Sequence, residues 1–391
     1  MTQIQDMVTG ATTRTPGTAT RGQELMRAAR YHEIGAPFVV ESIEKPTAGS
    51  DDVLIKVKAC GLVQNFQYVL EHLPPVLTRP DLPAVFGLDP VGVVVEVGSR
   101  VHGLEVGQRV YVNPMRSCGN CRHCKRGLAA QCDYMALNGY LGSGAKSAEL
   151  MRDHPYGGFA EYITAPPSSL VTLPDAIPFE TAARWGYLGT AYAALRRGAT
   201  GRDTTVMVNG ATGTLGVGTI AFALALGSPK IMAVGRRPDL LERVKALAPD
   251  RVHTFSVIED EGSIAEWVRA VNGGEGADVI VDALPSATPP ESFAAALAAL
   301  GRGGVYVNSG GVIEDVSISV FNMLNQAQTL SWNMWFTTEQ GQEMVDLAVD
   351  GTLDLDFFEH RVFALAQINE ALASIAAEHT GFANYVISLE D

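Results

Sequence analysis

The sequence predicts an α/β protein in which a doubly wound parallel sheet is inserted into a mostly β domain carrying a cysteine lobe. From about Thr204 onward, apolar strand runs alternate with Ala-rich helical stretches, the rhythm of a parallel sheet covered on both faces. Between Met26 and about Ala165, short β segments are broken by Gly and Pro, which reads as a compact, mostly antiparallel, barrel-like domain. Four of the five cysteines fall inside fifteen residues, spaced C-x2-C-x2-C-x7-C.

Residues 1–25 are Thr- and Gly-rich with no apolar core segment, so a mobile tail is expected there and a secretory signal is not. The first domain, expected over 26–185, takes its strands from Asp52–Ala59, Gly92–Val97 and Gln108–Val112, and its lobe from 116–133. The second domain, expected over 186–336, draws strands from TTVMVN, KIMAVG, RVHTFSV, ADVIVDA and GGVYVNS. Helical patterns lie between them at Pro238–Ala248 and Pro290–Leu300. Thr329–Phe336 reads as a long, apolar final strand at the sheet edge; such an edge is normally covered, which points to a homodimer. A helix at Glu339–Val349 and the stretch HRVFALAQINEAL follow, so residues 337–391 are read as a return to the first domain. Segments 64–80 and 138–157 show no readable pattern.

At 391 residues and 41.6 kDa the chain is long enough for about two domains. A net charge of −14 argues against nucleic acid and anionic membranes as partners. No apolar stretch is long enough to span a bilayer. Only Cys60 lies outside the cluster, so no disulfide framework exists and a reducing, cytoplasmic location is expected.

Cys118, Cys121, Cys124 and Cys132 have the spacing to surround one tetrahedral zinc with four thiolates. The Gly and polar residues between them suit a tight loop, and His123 is expected at its surface. A metal closed by four sulfurs has no open position, so this zinc is structural. The first strand of the sheet ends in Asn209, followed by Gly210, Ala211, Thr212, Gly213, Thr214, Leu215 and Gly216, and then by a helix expected at Val217–Leu226. Glycines in a strand–turn–helix let the backbone approach a diphosphate, while the helix start offers N–H groups. At the end of the second strand, where an acid usually meets the ribose of NAD, stand Gly235, Arg236 and Arg237. Two guanidinium groups suit a 2′-phosphate, so NADP(H) is the expected cofactor.

With these features the chain resembles the medium-chain dehydrogenase/reductase superfamily, zinc alcohol dehydrogenase type. The likeness runs from Met26 to the end and includes the cysteine lobe, Leu82–Gly98 (LPAVFGLDPVGVVVEVG), Gly157–Tyr162 (GGFAEY) and the glycine loop, which is more similar to the quinone-reductase branch. The resemblance implies a Rossmann domain inserted into a GroES-like catalytic domain. It also locates the three catalytic-zinc ligand positions of the family. They fall on Val63, Leu88 and Gly186, none of which offers a side-chain donor. The structural zinc is thus expected and the catalytic one is not; a rebuilt site from Asp89, His72 and Cys60 is the competing possibility.

Without a Lewis acid, hydride transfer is easiest to a substrate that is already electrophilic, such as a conjugated enone, a quinone or an iminium ion. The expected activity is an NADPH-dependent reductase of an activated double bond. A zinc-independent carbonyl or alcohol oxidoreductase and a catalytically silent NADPH-binding protein are its alternatives. By alignment, candidate proton donors are Tyr187 first, then Asp89, Asn65 and Tyr68, with Gln64 and Asn65 orienting a bound oxygen and Asp89 accepting from Asn65. The resemblance also brings Thr190 to the nicotinamide, and Ser309 and Gly310 to its carboxamide. Phe66, His72, Leu73, Trp185 and the stretch 332–335 are expected to wall a pocket for a small hydrophobic or ring-containing substrate.

Overall fold

The computed structural model describes residues 24–285, 288–378 and 380–390. The tail expected over 1–25 lies outside these except for its last two residues, and Leu25 already opens the first strand, Leu25–Tyr31. In the first domain the main sheet runs, in spatial order, Leu170–Thr172, Arg109–Val112, Asp89–Val97, Val53–Gly61, Ala383–Ser388 and Glu359–Ala364. Tyr162–Ala165 also pairs with Val53–Gly61. Every pairing is antiparallel except the last, where Glu359–Ala364 lies parallel to Ala383–Ser388. The C-terminal chain thus enters the sheet beside Val53–Gly61, the strand that leads into Val63 and Gln64.

The second sheet is fully parallel, in the order Val252–Ser256, Ile231–Gly235, Val206–Asn209, Ala277–Asp282, Leu300–Asn308, Thr329–Trp332. The order reverses beside Val206–Asn209, opening a crevice at the carboxyl ends of the strands. Its strands are apolar throughout because both faces are covered. Val206 and Val208 belong to one core and Met207 to another on the opposite face. The first of these cores also takes in Val91, Tyr111 and Val171 from the other domain, and Trp335 packs against the cores of both domains.

Several limits differ from those expected. The glycine-loop helix spans Thr214–Ala225, because Gly213, in extended conformation, already serves as its N-cap. The helices expected at Pro238–Ala248 and Pro290–Leu300 end at Ala246 and Leu297, the latter because Leu300 is needed in the following strand. The edge strand stops at Trp332. There Asn333 turns inward and is buried, its N–H donating to Asn308 O and its side chain to Thr190 O. Segments 64–80 and 138–157 contain helices Phe66–Glu71 and Ser147–Asp153 and strands Leu77–Thr78 and Leu141–Ser143. Strands of two or three residues leave no alternation to read.

Candidate functional site

The four cysteines meet at the tip of the lobe, their Sγ atoms all within 4.8 Å of one another. Sγ separations of 3.5 Å (Cys121–Cys124, Cys118–Cys132) and 4.0 Å (Cys118–Cys124) match the roughly 3.8 Å edge that Zn–S bonds of about 2.3 Å require. Backbone N–H groups point at the sulfurs: Cys121 N to Cys118 Sγ at 3.4 Å, Cys124 N to Cys121 Sγ at 3.5 Å, Tyr134 N to Cys132 Sγ at 3.4 Å. Backbone donors at Asn120 and Cys121 pull the Cys118 thiol down to about 6, which favours the thiolate that binds metal. The donor set fits one structural zinc. Among the described residues it is the only such cluster; Asp89, His72 and Cys60 do not form one. His72 is exposed and stacks on Tyr68, while Asp89 and Cys60 are buried.

At the carboxyl edge of the parallel sheet, Gly210 adopts φ +83°, a left-handed turn that Gly makes without strain. A Cβ on Gly216 would stand 2.2 Å from Gly210 O, so only Gly lets the helix close on the loop. Thr214 Oγ1 and Ser309 Oγ are buried with no partner among the described residues. Orphan hydroxyls on either side of a glycine loop, at a helix start, fit a dinucleotide. Thr190 is buried and spends its hydroxyl on Gly186 O at 2.8 Å, and a Cβ on Gly310 would strike Leu284 O. Arg236 is exposed at the end of the second strand. Arg237 is not free for a phosphate: its guanidinium forks onto Asp239, at 3.2 and 2.6 Å, a carboxylate two residues on that the motif reading passed over.

The three ligand positions offer no side-chain donor in the structure either. Val63 and Leu88 are buried hydrocarbon, and Gly186 starts the second residue of the helix Trp185–Arg197. Asp89 is only 2 % exposed. Its Oδ1 accepts from Tyr111 Oη at 2.8 Å, and the Gly186 N–H also bonds to its carboxylate. Burial pushes the Asp89 carboxyl up to about 7, against the pull of those two donors. Asp89 therefore does not serve Asn65 as acceptor; its partners come from the sheet and the helix start. Tyr187 Oη accepts the backbone N–H of Gln64 at 3.0 Å, which leaves its own proton to donate. Burial raises this phenol to about 12.

The other candidates separate from this pair. Asn65, the N-cap of the short helix Phe66–Glu71, and Tyr68 on that helix are exposed, whereas the Asp89 carboxylate is buried. Gln64 gives its side-chain amide to Thr380 O at 3.4 Å. Phe66 and Trp185 are core residues, not pocket walls. Phe66 is ringed by Tyr31, Phe38, Phe86 and Tyr140, and Trp185 Nε1 bonds Gly341 O at 3.2 Å. Trp332 is exposed, whereas Trp335 anchors its indole N–H on Asn113 Oδ1 at 2.9 Å. Sequence reasoning missed Tyr111, the Asp89 partner, and Arg184, which is buried at the N-cap of the helix Trp185–Arg197. The one visible signal for Arg184 was a charge inside the apolar run TAARWGYLG.

Fold and site together define a two-domain dehydrogenase: a doubly wound sheet with a glycine-loop cradle, joined to a β domain bearing a four-cysteine lobe. Residues 49–175 match the family model of the alcohol dehydrogenase GroES-like domain, and residues 214–350 that of the zinc-binding dehydrogenases. An alcohol dehydrogenase of Geobacillus stearothermophilus is 30% identical over 328 residues, covering 83% of this chain and 90% of that protein. An NAD-dependent alcohol dehydrogenase of Sulfolobus acidocaldarius is 28% identical, over 90% of this chain and 96% of its own length. The solved structure of AibC superposes with a TM-score of 0.80 at 22% identity, covering 97% of this chain and all of that one, a likeness of fold. The chain belongs to the zinc-type alcohol dehydrogenases of the medium-chain dehydrogenase/reductase superfamily, and is an oxidoreductase of that type.

Proposed function

We propose that the protein is an NADPH-dependent reductase that delivers hydride to an activated double bond, C=C conjugated to a carbonyl or C=N, without a catalytic metal. The reading is carried by the Asp89 carboxylate, which fills the volume where a ligand side chain at position 186 would begin. Val63 and Leu88 add hydrocarbon where donors would be needed. Electrophilicity must then come from the substrate.

Bound NADPH would supply the hydride. As it reaches the β-carbon of an enone, the C=C π electrons shift towards the carbonyl oxygen, giving an enolate. Tyr187 then donates its proton to the α-carbon and is left as a phenolate to be reprotonated from solvent. For an iminium ion the hydride alone completes the reduction. A positioned acid of this kind contributes roughly 10²–10⁴-fold. Thr190, Ser309 and Gly310 are assigned to the nicotinamide end, residues 210–216 to the diphosphate, and Gly235 with Arg236 to the ribose phosphate. Arg237 joins them only by exchanging Asp239 for that phosphate.

The active unit in this reading is a homodimer. Among the described residues the strand Thr329–Trp332 pairs on one side only, and Ile313, Val320, Phe321, Leu324 and Met334 are exposed apolar side chains in the same part of the chain. Among the described residues no helix is long and apolar enough to cross a membrane. Thiolates that hold zinc need a reducing compartment, which supports a cytoplasmic setting.

The test mixes purified protein with NADPH and, separately, NADH against enones, quinones, cyclic imines and simple ketones. Turnover of the conjugated or iminium substrates with NADPH is expected. Turnover of ketones alone would give the carbonyl oxidoreductase reading instead, and tight binding with no turnover a silent NADPH-binding protein.

A further inference from the structure

Arg184 is 2 % exposed and caps the helix that carries Gly186 and Tyr187, yet among the described residues its partners are backbone carbonyls and a ring, with no carboxylate. Burying a lone cation is costly, and here only carbonyl dipoles and a ring oppose that cost. Nη1 donates to Ala383 O at 2.8 Å, while Nη2 donates to Gly381 O and reaches Thr214 O at 3.4 Å. The guanidinium lies 4.0 Å from the centre of the Phe358 ring, and Nε is buried without a partner. One side chain thus ties the C-terminal segment 380–383 to the first turn of the glycine-loop helix.

That segment continues in both directions. Gly381 N–H donates to Thr212 O at 2.9 Å, and a Cβ on Gly381 would stand 2.3 Å from Gly213 O, so the two backbones touch. One residue earlier, Thr380 O accepts from Gln64 Nε2, and Gln64 N–H holds the Tyr187 hydroxyl. The contacts close a ring: glycine loop, residues 380–383, Gln64, Tyr187, and back through the helix start to Arg184.

We propose that Arg184 is a positioning residue that couples the dinucleotide loop to Tyr187 through the segment Thr380–Ala383 and Gln64. The proposal rests on the reading of residues 210–216 as the diphosphate cradle and of Tyr187 as the proton donor. A diphosphate held by residues 210–216 would bring negative charge to the same helix start that Arg184 reaches through Thr214 O. Binding therefore favours the state in which Arg184 grips Gly381 and Thr214, and that grip sets Gln64 against the phenol.

The test is amide hydrogen exchange on the full chain, with and without NADPH or NADH, for wild type, Arg184→Met, Arg184→Lys and Gln64→Ala. In wild type, dinucleotide should slow exchange at the Gln64 and Gly381 amides by about 5–150-fold, the range of ordinary coupling between sites. Arg184→Met should keep protection of the glycine loop but lose the response at Gln64. Arg184→Lys has one ammonium in place of a fork and should retain only part of it. Gln64→Ala should keep the Gly381 response while residue 64 falls silent. With an enone, Arg184→Lys should lower kcat more than it raises KM. An undiminished Gln64 response in Arg184→Lys and Arg184→Met overturns the proposal, as does a protected glycine loop with no Gln64 response in wild type. Should the Met variant not fold, the Lys and Gln64→Ala variants decide by the same criteria. A glycine loop left unprotected by both dinucleotides removes the cofactor reading itself, a distinguishable failure.

Discussion

The Asp89 carboxylate and residue 186 compete for one volume: a Cβ built on Gly186 would stand 2.2 Å from Asp89 Oδ1 and 2.6 Å from Oδ2. The carboxylate cannot easily swing aside, since Tyr111 Oη holds it from the sheet and the Gly186 N–H from the helix. Gly186→Ala should therefore destabilise the protein by about 1–3 kcal/mol, the usual cost of overpacking. Asp89→Ala in the same chain should recover part of that loss. Chemical denaturation of the two single variants and the double variant measures the coupling, and simple additivity would refute the shared volume.

Asp89 also sets a pH dependence. Its folded carboxyl titrates at about 7, above the ordinary 3.8, so between these values the folded chain holds a proton that the unfolded chain has released. Stability from this group is present at acid pH and is lost as pH rises through about 7. A shift of this size corresponds to an effect on the order of 4 kcal/mol at most. Melting temperatures should fall between about pH 4 and 7 in wild type and fall less steeply in Asp89→Asn.

Tyr187 should act as an acid across the whole working range. Burial holds its phenol near 12, so its proton is present well above neutrality. Enone reduction should keep a flat kcat from pH 6 to 10, and Tyr187→Phe should lower it roughly 10²-fold or more. Iminium reduction, which needs no proton at carbon, should lose much less in the same variant. Equal losses on the two substrates would mean that Tyr187 packs and does not donate.

Elemental analysis should return one zinc per chain, held by Cys118, Cys121, Cys124 and Cys132. Cys121→Ser should reduce the zinc content and lower the melting temperature, because metal binding at such a site is itself folding free energy. A second zinc retained in that variant would indicate ligands other than these four.

The ribose phosphate should be read mainly by Arg236. Arg236→Ala should weaken NADPH binding by about 1.5–3 kcal/mol, the scale of a hydrogen bond to a charged group, and leave NADH binding near wild type. Asp239→Asn, which removes the carboxylate charge that the Arg237 guanidinium bonds, should tighten NADPH. Binding titrations of both dinucleotides to these variants check the pair.

Local chemistry alone made much of this chain legible. Four thiols at short spacing can meet around a metal whatever surrounds them, and a strand–glycine–helix turn needs only its own residues to form a cradle. The doubly wound sheet followed from apolar runs that only a sheet covered on both faces can bury. The candidate site was legible only as positions. That Val63, Leu88 and Gly186 offer no side-chain donor could be read one residue at a time. Which groups took the freed space could not, because Tyr111, Arg184 and Thr380 are distant in sequence from the residues they hold. Only packing joins Asp89 to Gly186, Gln64 to Tyr187 and Arg184 to Gly381. Burial, which no sequence position carries by itself, then gives those groups their protonation.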